Sequence, residues 1–371
     1  MRFIDFFAGI GGFRQGLELS GHECVGFCEF DKFATASYVS MHSLNEEQRK
    51  QLSGIPQRKR QKEILKEEYR NGEWYAKDIR SVNAKDVPRA ECWCFGAPCQ
   101  DFSVAGRREG LDGDRSSLIR EIFRILEEQE EQNRPEWLIY ENVKGMLSSN
   151  RGLDYLSILS EMDRLGYDCE WQNINSKWYV PQNRERIYTI GHLRRYGRSK
   201  IFPVEGTNGE NSVFQLGNYM KTKTRENPNQ GRIYDADGIS PCLNKMDGGG
   251  REPSIATKYF CDMNRGSGAK TTNVCRAIQS RYNKGISNRM GEIRGVAIPV
   301  LTPDRVHEKQ NDGIYVEMPG GFLAYCVWYE KYQCYIAIRK LTPKECFRLQ
   351  GWTDDYFEKA AFVNTDNQLY K

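Results

Sequence analysis

No run of 18 apolar residues occurs anywhere in the 371-residue chain, so no membrane-spanning helix is expected. The N-terminus, Met1-Arg2-Phe3-Ile4-Asp5-Phe6-Phe7, lacks the basic head, apolar stretch and small-residue cleavage site of a secretory signal. Histidine is scarce, with four in all, and no Cys-x-x-Cys pair is present. Cys92 and Cys94 alternate as strand neighbours rather than as ligands, so no metal site is expected. Twelve cysteines without an extracellular signature point instead to reduced thiols and a cytoplasmic location. The dinucleotide spacing G-x-G-x-x-G is also missing, which argues against a phosphate-bearing cofactor. A strong charge of one sign is absent too, since the net charge is only +4. That charge is uneven: residues 257–296 hold eight Lys/Arg against two acids. A solvated face explains this excess as well as a polyanion footprint does.

What the chain does have is a set of strands that end in polar or glycine-rich turns. Residues 2–7 are mostly apolar, as in a strand buried on both faces, and lead into Ala8-Gly9-Ile10-Gly11-Gly12. A helical pattern follows through Leu17 and Leu19 and stops at Gly21. A second apolar run, Cys24 to Phe27, ends at Glu29, about 20 residues past the loop, as in a nucleoside-binding βαβ unit. In that arrangement glycines let backbone approach a ligand, and the acid accepts the ribose hydroxyls. Residues 44–73 read as a solvated helical insertion with a basic stretch, for which a nucleic-acid contact is the alternative. Trp74 to Ile79 reads as a short strand with Asp78 near its end.

The run Cys92-Trp93-Cys94-Phe95 reads as a buried strand broken by Gly96-Ala97-Pro98-Cys99-Gln100-Asp101-Phe102-Ser103. A cysteine in a Gly/Pro turn at a strand outlet is either a nucleophile or a small core residue. Residues 107–115 form a polar, glycine-rich loop that could serve as a lid, and Ser116 or Ser117 can cap the next helix. In that helix Ile119, Ile122, Phe123 and Leu126 recur at helical spacing. Trp137-Leu138-Ile139-Tyr140 reads as a strand ending in Glu141-Asn142-Val143. Tyr155 to Leu165 reads as a helix stopped by Gly166, and Ile187 to Ile190 as a strand after Gln182-Asn183-Arg184-Glu185-Arg186. Gly9–Gly12, Glu29, Asp78, Cys99 and Glu141 thus all fall at strand outlets, where an open α/β sheet builds its site.

From about residue 195 the helical periodicity fades into a loop-rich, irregular β texture. Thr342-Pro343-Lys344-Glu345 then carries a capping box that restarts regular structure, closed by Gly351. The expected domains are a catalytic and cofactor-binding domain over 1–195, a target-recognition domain over 196–336, and a segment 337–371 returning to the first.

These motifs together resemble the C5-cytosine DNA methyltransferases. Asp5-Phe6-Phe7-Ala8-Gly9-Ile10-Gly11-Gly12 is similar to their cofactor loop, Gly96-Ala97-Pro98-Cys99-Gln100 to their nucleophile loop, and Glu141-Asn142-Val143 to their acid motif. Gln182-Asn183-Arg184-Glu185-Arg186 resembles their arginine motif, and residues 339–351 their ninth motif. The resemblance implies a Rossmann-like α/β fold that binds S-adenosyl-L-methionine, with a smaller β-rich recognition domain. It implies a monomer acting on a flipped-out cytosine of a specific double-stranded DNA sequence, in a restriction-modification or phage-protection role. Cys99 is then the nucleophile on C6, Glu141 holds or protonates N3, and Arg184 contacts the base oxygen, with Arg186 beside it. Phe6, Ala8, Gly9, Gly11, Gly12, Glu29, Asp78, Ile79, Pro98 and Leu118 are the implied cofactor residues, with Phe6 against the adenine. Gln100, Ser103 and Arg184 are the implied DNA contacts. The family's tenth, Gly-Asn-containing motif is not reached before Lys371, so a second polypeptide supplying it is an implied partner. Action on RNA, or a DNA-binding remnant without activity, are the alternatives.

Overall fold

The computed structural model describes residues 1–98, 118–197, 200–206 and 342–369, together with 213, 215–218, 232–235, 240–243, 254–256, 299–300, 306–308, 314–318, 322–329 and 334–340. The chain divides into two compact units. The first comprises Met1–Asn175, Glu185–Thr207 and Thr353–Leu369, and the second Ser176–Arg184, Asn208–Trp352 and Tyr370–Lys371. No helix among the described residues is long and apolar enough to cross a membrane.

The first unit is built on a seven-stranded sheet in the order β3-β2-β1-β4-β5-β7-β6. Its strands are β1 (Arg2–Phe6), β2 (Glu23–Cys28), β3 (Trp74–Ala76), β4 (Cys92–Phe95), β5 (Trp137–Val143), β6 (Tyr167–Asn175) and β7 (Glu185–Leu193). The first five are mutually parallel, and β7 runs antiparallel between β5 and β6. Interior parallel strands are covered on both faces, which is why β4 can be wholly apolar and wholly buried. Trp93, 1% exposed, packs against Phe6 in the main core with the rings tilted and their centroids 5.0 Å apart. Such a side chain contributes about 1.5–3 kcal/mol by its burial.

Helices α1 (Gly12–Leu19), α2 (Lys32–Tyr38), α3 (Glu46–Ser53), α4 (Gln57–Glu63), α5 (Leu118–Glu128) and α6 (Leu153–Arg164) surround the sheet sequence. In α5 the expected stripe of Ile119, Ile122, Phe123 and Leu126 is buried. Helix α6 ends at Gly166 with φ of +97°, a conformation that favours glycine. The insertion over 44–73 is helical, as expected, but it is not merely a solvated face. Gln57 Nε2 donates to the Ala361 and Asn364 carbonyls at 2.8 and 2.9 Å. Arg60 donates to the Phe362 carbonyl at 2.7 Å and lies 3.8 Å over that residue's ring. The basic stretch therefore ties down the segment that follows the helix Asp354–Ala361.

Three readings of elements need correction. Glu141 lies within β5, not beyond it. Strand β3 ends at Ala76, and Asp78 instead caps a 3-10 turn, Ile79–Ser81, by accepting from the Arg80 N–H. Strand β6 was not foreseen at all.

The second unit is a β structure among its described residues. Strands β8 (Gln215–Asn218), β9 (Arg232–Asp235), β10 (Ser254–Ala256), β11 (Pro299–Val300), β12 (Val306–Glu308), β13 (Ile314–Met318), β14 (Phe322–Tyr329) and β15 (Cys334–Lys340) join in the order β12-β13-β14-β15-β10-β9-β8, with β11 also on β15. A helix, Pro343–Leu349, follows and begins with the expected capping box between Thr342 and Glu345. The basic run 257–296 lies outside the described residues.

Candidate active site

The sheet reverses its winding between β1 and β4. From β1 the chain builds outward through β2 and β3, then returns to place β4 on the other side of β1. Open α/β sheets leave a crevice at such a switch point, at the carboxyl ends of the two strands. Phe6 pairs with Phe95 across this boundary, so Phe7-Ala8-Gly9 and Gly96-Ala97-Pro98 emerge side by side.

On the β1 side the backbone turns sharply. Phe7 has φ of +56°, Gly9 +57° and Gly11 +89°. A Cβ placed on Gly9 or Gly12 would meet nothing within 4 Å, so the loop borders open space. Glu29, directly after β2, folds back under the loop. Its Oε2 accepts from the Gly9 N–H at 2.8 Å and its Oε1 from the Asp31 N–H at 2.7 Å. Burial raises the Glu29 pKa, and these two backbone donors oppose the rise. Each oxygen keeps a lone pair, which suits sugar hydroxyls. Arg14, in the helix after the loop, spends its guanidinium on Glu18 and, bidentately, on Glu73. A phosphate would therefore meet the Glu29 carboxylate at this loop, with Arg14 already engaged elsewhere.

Asp78 and Ile79 follow β3. The Asp78 carboxylate is held by Arg80, and this hydrogen bond lowers its pKa. The Ile79 side chain is in the main core, and half-buried Leu118 at the start of α5 packs against that core. Ala8 is buried, and Pro98 is exposed.

On the β4 side, Phe95 pairs with Tyr140, which sets Gly96 next to Glu141. The fit is close: a Cβ on Gly96 would stand 3.2 Å from Oε2 of Glu141. Glycine at 96 therefore leaves room for the carboxylate against the turn that leads to Cys99. Oε1 of the same carboxylate receives Arg186 Nε at 2.8 Å, with the two side chains 20% and 15% exposed. Asn142 points the other way, buried, with its amide on the Tyr140 hydroxyl. Cys99, Gln100 and Ser103, like the lid over 107–115, lie outside the described residues.

One of the expected assignments changes. Phe6 was expected to lie against the adenine, but its ring is fully buried between Trp74 and Trp93 and offers no open face. The half-buried aromatic at the outlet is Phe7. Of the two arginines, it is Arg186 that meets Glu141. Arg184 precedes β7, belongs to the second unit, and donates to the Cys242 Sγ at 3.7 Å. Phe30, which has no special mark in the sequence, directly follows Glu29 and is 63% exposed, with Lys77 Nζ 5.6 Å over its ring.

The signature of the C-5 cytosine-specific DNA methylases matches this sequence over residues 1–65 and 55–371. The chain belongs to that family. The family implies S-adenosyl-L-methionine as cofactor and DNA as substrate. This methylase is 35% identical to the type II methyltransferase M.HhaI of Haemophilus parahaemolyticus, over 96% of this chain and 85% of that one. It is 27% identical to the orphan methyltransferase M.SPRI of Bacillus phage SPR, over 100% of this chain and 93% of that one. Its fold is similar to that of the S. pombe Dnmt2 methyltransferase, with a TM-score of 0.52 at 16% identity, covering 100% and 95% of the two chains. The Entamoeba histolytica methyltransferase EhMeth gives 0.54 at 15% identity, covering 100% and 91%.

The cofactor fits the methylase's own residues. The glycine loop opens onto free space, an acid with spare lone pairs lies beneath it, and the nearest arginine is engaged elsewhere. That set suits a nucleoside carrying an amino acid in place of phosphates.

Proposed function

We propose that this protein methylates C5 of a cytosine flipped out of a specific double-stranded DNA sequence, with S-adenosyl-L-methionine as methyl donor. The observation that carries this reading is the Glu141–Arg186 pair on β5 and β7, seated against Gly96 at the end of β4, three residues before Cys99. A carboxyl group fixed beside a nucleophile turn suits an aromatic nitrogen, and an arginine fixed beside the carboxyl suits the adjoining carbonyl oxygen.

In this mechanism the Cys99 thiolate adds to C6 of the flipped cytosine, forming a C–S bond. Glu141 holds the ring at N3 and stabilises the charge that develops on addition. Arg186, rather than Arg184, both orients Glu141 and donates to the base oxygen. The addition makes C5 nucleophilic. The cofactor, when bound, supplies an electrophilic methyl group. Solvent water then takes the C5 proton, its electron pair restores the C5–C6 double bond, and the C–S bond breaks to regenerate the Cys99 thiolate. Glu29 takes the ribose hydroxyls of the cofactor, Asp78 the adenine amino group, and the Gly9–Gly12 loop the methionine part. Phe7 and Phe30 border the adenine. The first unit is the catalytic one, and the second, with Arg184, Gln100 and Ser103 as additional contacts, recognises DNA. Modification of host or phage DNA is the biological role that this activity serves.

A duplex carrying 5-fluorocytosine tests the reading, because fluorine at C5 blocks the final elimination. With cofactor present, a denaturation-resistant protein–DNA adduct is expected, and Cys99→Ala is expected to abolish it. An adduct that survives Cys99→Ala, or one that forms on RNA and not on DNA, overturns the proposal.

A further inference from the structure

His42 lies 32 residues from the glycine loop in sequence and directly against it in space. After α2 the chain runs into a single π-helical turn, Val39–Ser43. Such turns are rare, and they re-aim side chains, frequently at functional sites. Here the turn brings the His42 Nε2 to 3.0 Å from the Ile10 carbonyl. The ring edge also faces Gly11, where any Cβ would overlap Nε2 and stand 2.9 Å from Cδ2. Gly11 thus combines two demands for glycine, a φ of +89° and the closeness of this ring.

The imidazole is itself held. Tyr38 lies 5.1 Å away by ring centroids, and Tyr356, from the helix Asp354–Ala361, lies 5.5 Å away. The His42 carbonyl accepts from Arg14 Nη2 at 3.5 Å. Burial, followed by the nearby Arg14 charge, pushes the His42 pKa down to about 3, so the ring is neutral at physiological pH. A neutral imidazole can donate to Ile10 through Nε2–H.

The loop is therefore gripped from both sides. Glu29 accepts from the Gly9 N–H, and His42 donates to the carbonyl of the next residue, Ile10. We infer that His42 is a positioning residue for cofactor binding, fixing the 9–12 turn in the shape that receives the methionine part of S-adenosyl-L-methionine. This inference rests on the cofactor reading given above.

The test titrates S-adenosyl-L-methionine calorimetrically into wild type, His42→Ala, His42→Gln and Glu29→Ala, with duplex DNA affinity measured beside it. Loss of one net hydrogen bond predicts about tenfold weaker cofactor binding in His42→Ala, with DNA affinity unchanged. His42→Gln keeps an N–H donor of similar reach and is expected to bind within about threefold of wild type. Wild-type affinity in His42→Ala beside weakened Glu29→Ala overturns the role of His42 alone. Wild-type affinity in both overturns the cofactor reading as well. If His42→Ala does not fold, His42→Gln decides. Affinity near wild type supports the inference, and a tenfold loss with an unchanged apo melting temperature overturns it.

Discussion

Arg186 Nε stands 2.8 Å from Oε1 of Glu141, diagonally across the β5–β7 ladder. Both residues come from strands rather than loops, so their separation is fixed by sheet geometry. Arg186→Ala would leave Glu141 without that partner, and the expected result is a fall in kcat of about 100-fold, with cofactor affinity unchanged. Arg186→Lys should recover only part of this, because an ammonium cannot reproduce a planar guanidinium fork. Single-turnover methylation of a short duplex, with cofactor titrated separately, measures both.

Gly96 offers a finer probe of the same group. A methyl at this position would stand 3.2 Å from Oε2 and 3.9 Å from the main-chain oxygen of Glu141. The carboxylate must then shift by a few tenths of an ångström. Gly96→Ala is expected to lower kcat about tenfold, since small displacements at a reacting centre are costly. Gly16→Ala, in α1 with nothing within 4 Å of its Cβ position, is the control. It should leave kcat alone and stabilise the protein by about 0.5–1 kcal/mol.

The neutral His42 has a signature in stability against pH. Its folded-state pKa is about 3, whereas an unfolded histidine titrates near 6.5. Between these values the unfolded chain takes up a proton that the folded one refuses. Stability should therefore fall as pH drops below about 6.5, by no more than about 2 kcal/mol at pH 5. The cations that face the ring, Arg14 and Lys359, act in the same direction. Melting temperatures from pH 4 to 7 should fall less steeply in His42→Gln than in wild type.

Asp5 should show the opposite slope. It is fully buried in β1, with the Arg14 main chain beside its carboxyl group. Desolvation raises its pKa well above the ordinary carboxyl value; Arg14 opposes the rise and Glu29 adds to it. The folded state thus keeps a proton that the unfolded chain releases near pH 4, and stability is lost as pH rises toward the folded value. Asp5→Asn removes the titration. Its melting temperature relative to wild type is expected to be higher at pH 8 than at pH 5.

How far the sequence speaks depends on how local each cause is. Strands β1 and β4 are legible because burial on both faces forces a continuous apolar run. Strand β6 carries Asp168, Glu170 and Gln172 at alternate positions, breaks the alternation at Asn173 and lies at the sheet edge, so its pattern is weak. Phe6 and Phe7 are equivalent as letters; only the end of β1 and the positive φ at Phe7 separate the buried ring from the outlet one. Arg184 and Arg186 differ because β7 begins between them, at Glu185. The grip of His42 on the loop is a long-range contact that no local pattern carries.

The basic stretch of α4 reads in the sequence as a solvated face or a nucleic-acid contact, and in the structure part of it is a clamp. The geometry favours a clamp at some positions and not at others. Asn364, 2% exposed, donates to the Phe33 carbonyl and to Ser37 Oγ, both at 2.8 Å, and pairs with Gln61 of α4. Asn364→Ala would leave buried polar partners unsatisfied, at a cost of about 2–4 kcal/mol. Arg60→Ala would release the Phe362, Leu52 and Ile55 carbonyls together and cost about 2 kcal/mol. Arg58→Ala and Lys59→Ala, at exposed positions of the same helix, should stay within about 0.5 kcal/mol. Because the clamped segment follows the helix that sets Tyr356 against His42, Asn364→Ala should also weaken cofactor binding. Chemical denaturation and cofactor titration of the four variants test this order. Equal stability in all four, with DNA affinity lost in Arg60→Ala, would assign the stretch to nucleic acid instead.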